Sequence, residues 1–375
     1  MFNLFKNSNF HKPDYILISS FGILLLLGLF ILSSAGSAVG FQNFGDSYYF
    51  IKHQVTNGLI PGIILFFLLA NINYQVWKKF TLALLLTSIA LLVVVFIPGL
   101  GSEYGTAKSW INIAGFSFQP AELVKLTFLL YLATWLEKRG AHGVKDLYTS
   151  FLPFLFVMGV ISVLMLLQPD MGTLSVIIFI GMAVFFASGA QIKHVSAIIL
   201  AGISFIYLLI LKSPYKVARL KTFLHPELDP QGIGYHINQA FLAIGSGGLF
   251  GRGFGHSRQK FQYLPEATGD SIFAIMAEEL GFILCLLAIG LFIVIMYRGL
   301  NVAKDSIDPF GRLVAIGIIS WITFQAFFNI SSMIGLLPMT GIPLPFISYG
   351  GTALAVTMGA FGILTNISMQ TKHKN

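Results

Sequence analysis

The stretch YLPEATGDSIFAIMAEELG, Tyr263 to Gly281, sets carboxylates where a polar loop becomes an apolar run. Asp270 directly precedes Ser271-Ile272-Phe273. Asp is among the best helix N-caps. A carboxylate at the outer mouth of a membrane cavity is also a candidate general base. Partial burial strengthens it as a base, and the positive end of a helix acts the other way. The two readings are compatible, since a cap fixes the position of its carboxylate. Glu266 precedes Asp270 in the loop, and Glu278 and Glu279 follow in the apolar run. At the helical rise the latter two lie about 12 Å deeper than Asp270. Charges at that depth are costly and face a cavity or a partner. Glu278 is nearer than Glu279 to Asp270 in angle around a helix. The pair either lines the opening or is held in structural ion pairs and hydrogen bonds.

Other residues share this chemistry. In WINIAGFSFQPAELVKL, Pro120 suits a first helical turn, and Glu122 and Lys125 follow on one face. They form either a buried salt bridge between helices or a site at which Lys125 meets a phosphate or carboxylate. In LLQPDMG, Asp170 reads as a cap. SPYKVARLKTF carries Lys216, Arg219 and Lys221. This cluster is either a solvated charge run or a pyrophosphate site, with Arg suited to bidentate contacts. GSGGLFGRGFG lacks the P-loop pattern and reads as a turn whose main-chain N–H groups can approach an anion. In LPMTGIPLPFISYGG, Pro338, Pro343, Pro345 and three glycines break the start of the last helix. Irregular backbone at membrane depth belongs where protein buries it or where it lines a water-filled cavity.

These groups need a scaffold, and the composition names its class. Of 375 residues, 56% are hydrophobic and 10% are charged, with a mean hydropathy of +0.81. We expect an all-α integral membrane protein in one domain over residues 1–375. About ten segments are long and apolar enough to span a bilayer: 15–35, 53–71, 80–98, 120–136, 150–167, 172–188, 195–211, 271–297, 313–334 and 346–367. The net charge of +8 does not mark a nucleic-acid binder, because it follows the membrane. With the N-terminus inside, Lys78, Lys79, Lys138, Arg139, Arg298 and Lys304 all fall inside, whereas the short outer loops carry Lys52 and Lys108. Both termini are then cytoplasmic, and one long extracytoplasmic loop spans about 212–270. Within it, YHINQAFLAIG predicts a short interfacial helix with Ile237, Phe241 and Ile244 on one face. SSAGSAVG follows an apolar run too long for a signal peptide, so the first segment reads as a retained helix. Cys285, the single cysteine, is expected to pack.

In this order, WINIAGFSFQPAELVKL, QPDMGT, YHINQAFLAIGSGGLFGRGFG, QKFQYLPEATGDSIFAIMAEELG and LPFISYGG resemble the SEDS family of bacterial cell-wall proteins (shape, elongation, division and sporulation) over nearly the whole chain. The first of these motifs and YLPEA look more like the division branch, FtsW, than the elongation branch, RodA. The resemblance implies a ten-helix fold and a peptidoglycan glycosyltransferase that polymerises lipid II, releasing undecaprenyl pyrophosphate. It places the essential aspartate on Asp270 and the characteristic Glu and Lys of the fourth helix on Glu122 and Lys125. The chain departs from the usual LPEAHTDFIF, with Thr268-Gly269 in place of His-Thr and Ser271 in place of Phe. Lys216, Arg219 and Lys125 are candidates to meet the pyrophosphate, and Glu266 and Glu278 to shape the opening. A divalent cation, magnesium or manganese, is a candidate assistant. The implied partners are a class B penicillin-binding protein, which is a transpeptidase, and other divisome proteins, at the septum of the bacterial inner membrane. The alternatives are a lipid II flippase, a RodA-like elongation enzyme, and a scaffold without chemistry.

Overall fold

The computed structural model describes residues 11–99, 101–104, 107–113, 116–211, 217, 223–225, 232 and 234–372. The first helices are α1 (Tyr15–Ala35), α2 (Ser37–Phe44), α3 (Tyr49–Gln54), α4 (Ile60–Asn71) and α5 (Thr81–Val94). A small antiparallel sheet follows, in the order β1 (Gly101–Tyr104), β2 (Ala107–Ile113) and β3 (Phe116–Phe118). The rest is helical again: α6 (Pro120–Gly143), α7 (Leu152–Leu167), α8 (Met171–Ala187), α9 (Ile192–Leu211), α10 (Tyr235–Gly247), α11 (Ile272–Lys304), α12 (Pro309–Met333) and α13 (Gly351–Ser368).

Each of the ten apolar segments coincides with a helix. Among the described residues, six helical stretches are long and apolar enough to cross a bilayer, and α5, α8 and α9 are shorter apolar helices. α6 is long, but Glu122, Lys125, Glu137, Lys138 and Arg139 make it more polar. The chain is an integral membrane protein. The sheet was not expected from the sequence: it is held by pairing such as Ile111 with Phe118, and Ser109 Oγ donates to Gln168 O at 3.4 Å.

The two chain ends share one end of the bundle. His11 N donates to Met369 O (3.1 Å), and Arg298 Nη2 lies 2.6 Å from Asp14 Oδ2. Lys78 bridges Glu137 (2.8 Å) and Asp308 (3.3 Å) there. Burial and the Asp308 carboxylate push the Tyr74 hydroxyl above its ordinary range, so it remains a donor to Asp308 Oδ1 (3.0 Å). The core is centred on α13, which is buried along most of its length and lies against α4. Gly362 makes this close approach possible, since a Cβ there would meet Phe66 O at 2.5 Å.

At the other end α11 is broken. Gly281 has φ 77°, and the helix resumes beyond it. A break in an apolar layer frees carbonyl and N–H groups that lipid cannot satisfy. The glycine-rich stretch supplies their partners. Arg252 N donates to Glu278 O (2.9 Å) and Gly253 N to Glu279 O (3.0 Å). Phe282 N donates to Gly248 O (2.9 Å) and Ile283 N to Leu249 O (3.2 Å). The two backbones come so close that a Cβ on Gly251 or Gly281 would collide with the other strand.

α10 forms where the sequence predicts it; of the expected apolar face, Ile237 is buried and Ile244 packs against the core, but Phe241 does not. Ile237, Ala240, Ala243 and Gly247 pack inward, and the small Ala and Gly residues let α10 approach α11 closely. Phe241 is 41% exposed and lies over Gly335 instead. Gly251→Ala is expected to destabilise the detergent-solubilised protein by roughly 2–3 kcal/mol, through strain and clash. Gly290→Ala, in a helical position with open space around it, is expected to leave the melting temperature unchanged.

Candidate active site

Asp270 lies at the end of the bundle away from the chain termini, in a turn held from several directions. Glu266, at φ 50°, turns the chain so that its carbonyl accepts from Gly269 N (2.9 Å) and Ser271 N (3.2 Å). The PFISYGG segment grips the same turn. Ser348 Oγ donates to Gly269 O (2.7 Å), and Tyr349 N donates to Thr268 O (2.9 Å). From α12, Asn329 Nδ2 donates to both Asp270 O (2.7 Å) and Ile342 O (2.8 Å). Asn329 is almost wholly buried, so water does not compete for these bonds.

The N-cap position of α11 is Ser271, not Asp270. Asp270 stands one residue earlier, half-buried. Its Oδ1 accepts from Ser271 Oγ (3.4 Å), and Ser271 Oγ lies 2.6 Å from His236 Nε2 on α10. On the other side is exposed Gly341, at φ 73°, where a Cβ would stand 3.9 Å from Asp270 Oδ2. The exposed Glu266 folds over Gly269, its Oε2 3.2 Å from where a Cβ would be.

Behind this turn runs a row of buried polar groups. Lys125 Nζ is 2.7 Å from Glu122 Oε2, and both side chains are buried. The ammonium also donates to Gln325 Oε1 (3.2 Å) and lies 4.8 Å from the Trp321 ring centroid. Trp321 Nε1 donates to the same Gln325 oxygen. Gln325 Nε2 reaches Pro343 O (3.3 Å). Trp321, Gln325 and Asn329 recur at a four-residue spacing, so one face of α12 joins the buried ion pair to the segment flanking Asp270. Nearby, Asp170 caps α8 at Thr173 N (3.0 Å) and accepts from Gln119 Nε2 (3.1 Å). Gly172, in the same turn, packs against Thr340 O.

The cell cycle protein family model, which covers FtsW, RodA and SpoVE, matches residues 15–373. This chain belongs to the FtsW/RodA/SpoVE family. Stage V sporulation protein E of Bacillus subtilis is 39% identical to it over 362 residues, covering 96% of this chain and 98% of that one. The probable peptidoglycan glycosyltransferase FtsW of Trichlorobacter lovleyi is 37% identical over 359 residues, covering 96% and 94%. In fold, this FtsW/RodA/SpoVE chain is similar to a chain from a peptidoglycan synthase complex that coordinates polymerization and crosslinking, with TM-score 0.77, 26% identity and coverage of 95% and 97%. It is also similar to the rod shape determining protein RodA of Thermus thermophilus, with TM-score 0.71, 26% identity and coverage of 96% and 98%.

In this family member the residues singled out from sequence do not all converge. Asp270 and Glu266 share one turn at the surface. Glu122 and Lys125 pair inside the bundle, and they hold the Pro343 segment through Gln325 rather than reaching a surface. Glu278 is also internal. Its carboxylate accepts from Ser257 Oγ (2.6 Å), Arg258 N (2.9 Å) and Gln259 N (3.3 Å). Glu279 accepts from Ser34 Oγ (2.6 Å) and Lys260 Nζ (3.1 Å). Both glutamates therefore pin the 257–260 loop. Lys216 and Arg219 lie outside the described residues. Sequence reasoning passed over Asn329, Gln325 and Ser348 as sites, because neutral polar residues in apolar helices carry no charge signal. The four-residue spacing of Trp321, Gln325 and Asn329 was the available clue.

Removing one member of a buried ion pair strands the other, at a cost of about 3–5 kcal/mol, whereas replacing both with apolar residues costs far less. Lys125→Met is therefore expected to lower the melting temperature more than the double variant Glu122→Leu/Lys125→Met.

Proposed function

We propose that this chain is a peptidoglycan glycosyltransferase that polymerises lipid II, with Asp270 as its general base. One observation carries the assignment. A half-buried carboxylate is fixed by its own backbone at one end of a membrane bundle, beside an exposed glycine. A lipid-linked sugar presents its hydroxyls at such a level while its chain stays in the bilayer. Asp270 takes the proton of the acceptor sugar's 4-hydroxyl as that oxygen attacks the anomeric carbon of the donor. The anomeric carbon–oxygen bond breaks, undecaprenyl pyrophosphate leaves with the electron pair, and Asp270 returns its proton to water. A good leaving group removes the need for a second carboxylate as acid, unlike glycoside hydrolysis.

Lys216 and Arg219 are the basic residues we assign to the pyrophosphate, where positive charge offsets the charge that develops on the leaving group. Glu266 we assign to the rim of the opening. Among the described residues no group of three His, Cys, Asp or Glu side chains could hold a metal ion. We assign an assisting magnesium or manganese ion to the substrate's pyrophosphate.

The similarity to a chain from a complex that couples polymerization to crosslinking supports a class B penicillin-binding protein as partner, within the divisome. We place the protein in the bacterial inner membrane at the division septum, with its termini cytoplasmic and Asp270 outside. The sporulation and FtsW relatives support this more than a role in elongation.

Purified protein given labelled lipid II, alone and with its co-purified transpeptidase, is expected to form glycan polymer. General bases contribute about 100- to 10,000-fold, so Asp270→Asn is expected to lose nearly all of that polymer. Transbilayer movement of lipid II without polymer, with or without the partner and divalent metal, would overturn the assignment in favour of a flippase.

A further inference from the structure

The cations at the end of the bundle that carries the chain termini are used unequally. Lys78 pairs with Glu137 and Asp308, and Arg298 pairs with Asp14. Lys138, Lys145 and Lys193 are exposed, and among the described residues no carboxylate forms a salt bridge with any of them. Three contacts bring the last two of these to one corner. Gln191 Nε2, in the connection between α8 and α9, donates to Lys145 O (3.1 Å) in the connection between α6 and α7. Phe151, just before α7, stacks on His194 of α9 with ring centroids 4.5 Å apart. Arg312, in the first turn of α12, donates through Nη2 to Ala187 O (2.8 Å) at the end of α8.

The two connections, residues 144–151 and 188–191, contain one carboxylate, Asp146. Its Oδ1 accepts from Thr149 N at 2.7 Å, as the cap of the turn before α7. The corner therefore carries a surplus of positive charge. Exposed apolar side chains are interleaved with that charge. Leu147 and Tyr148 follow Lys145, with Tyr148 75% exposed, and Ile192, 72% exposed, directly precedes Lys193. Tyrosine collects where headgroups meet hydrocarbon, and lysine stems lie along an apolar edge while the ammonium stays with the headgroups. The mixture marks the level of the bilayer surface.

We propose that the corner formed by Lys145, Lys193 and Arg312 binds the headgroup of an anionic phospholipid. A zwitterionic headgroup brings its own cation and gains little there, whereas phosphatidylglycerol carries a net negative charge. Each Lys or Arg beside an anionic membrane surface adds about fivefold in affinity, within a Debye length of about 8 Å at physiological salt. Arginine also presents a fork of N–H groups that fits phosphate oxygens. An acidic protein segment would meet the same charge, but it has no use for Tyr148 and Ile192 exposed at the level of the lipid. A bound headgroup would tie together the ends of α6, α8, α9 and α12. The site stands at the end of the bundle opposite Asp270 and does not depend on the reaction assigned there.

The test offers the full-length, detergent-purified protein an equimolar mixture of phosphatidylglycerol and phosphatidylcholine and counts retained lipid by native mass spectrometry. Wild type is expected to retain phosphatidylglycerol in preference. Lys145→Gln and Lys193→Gln are each expected to weaken that retention about fivefold, and the double variant about 10- to 30-fold, with phosphatidylcholine unchanged. Lys145→Arg/Lys193→Arg keeps the charge and is expected to bind as wild type does, which separates loss of the site from loss of the fold. Lys12→Gln removes an exposed cation beside the packed chain ends and is expected to change nothing. Equal retention of the two lipids by wild type overturns the proposal. So does wild-type retention in the double Gln variant, an equal loss in the Arg variant, or a loss in Lys12→Gln as large as in Lys145→Gln, which would mean diffuse charge without a site. Displacement of phosphatidylglycerol by soluble poly-glutamate at equal concentration of charge would give the corner to an acidic protein segment and overturn the lipid assignment.

Discussion

A helix that breaks inside a hydrocarbon layer must pass its freed carbonyls and N–H groups to other protein atoms, because lipid offers no partners. In α11 that requirement falls at Gly281, and the main chain of Gly248–Gly253 meets it with four hydrogen bonds. Much of the candidate site follows from this junction. It binds the glycine-rich stretch to α11, so α10 just before it is laid against the same helix. His236 is thereby brought to Ser271. Beyond the stretch, Glu278 and Glu279 reach out from the break to collect Ser257, Arg258, Gln259 and Lys260. A polar loop over an apolar bundle would otherwise be mobile. Here its backbone is tied down before it reaches the Tyr263–Ser271 turn.

The second support comes from beneath. Glu122 and Lys125 neutralise each other in the bundle, and the cost of burying them is offset only where further polar contacts complete the pair. Gln325 and Trp321 provide those contacts, and Gln325 continues to Pro343. One helical turn along, Asn329 joins Ile342 to Asp270. The proline- and glycine-rich segment before α13 is irregular, yet it is clamped by α12 on one side and by Ser348 on the other. Rigidity around Asp270 therefore comes from main-chain carbonyls gripped by amide and hydroxyl side chains.

The outer surface differs in kind. Leu26 is 69% exposed and Phe156 72% exposed, and many other large apolar side chains are more than half exposed. Such a surface suits lipid, where burying Leu against Leu brings no hydrophobic gain. A substrate that keeps its hydrocarbon chain in the bilayer can approach the Asp270 end without leaving that phase.

The sequence alone determined the class and the helices, and it drew attention to Asp270. Runs of about 20 apolar residues have few alternatives to a spanning helix, and a charged residue at the border of such a run stands out because it is costly there. That is why Asp270 and the Glu122–Lys125 pair were visible without coordinates. What the sequence left undecided was partnership. It did not show that Glu278 faces the 257–260 loop, that Ser271 rather than Asp270 occupies the cap, or that Ala240 and Gly247, rather than Phe241, form the contact face of α10. It also gave no sign of the β1–β3 sheet, whose strands are at most seven residues long. Hydropathy reports the cost of leaving water, which each segment carries with it. Hydrogen-bond partners and close backbone approaches depend on which segments meet, and only the packed bundle settles that.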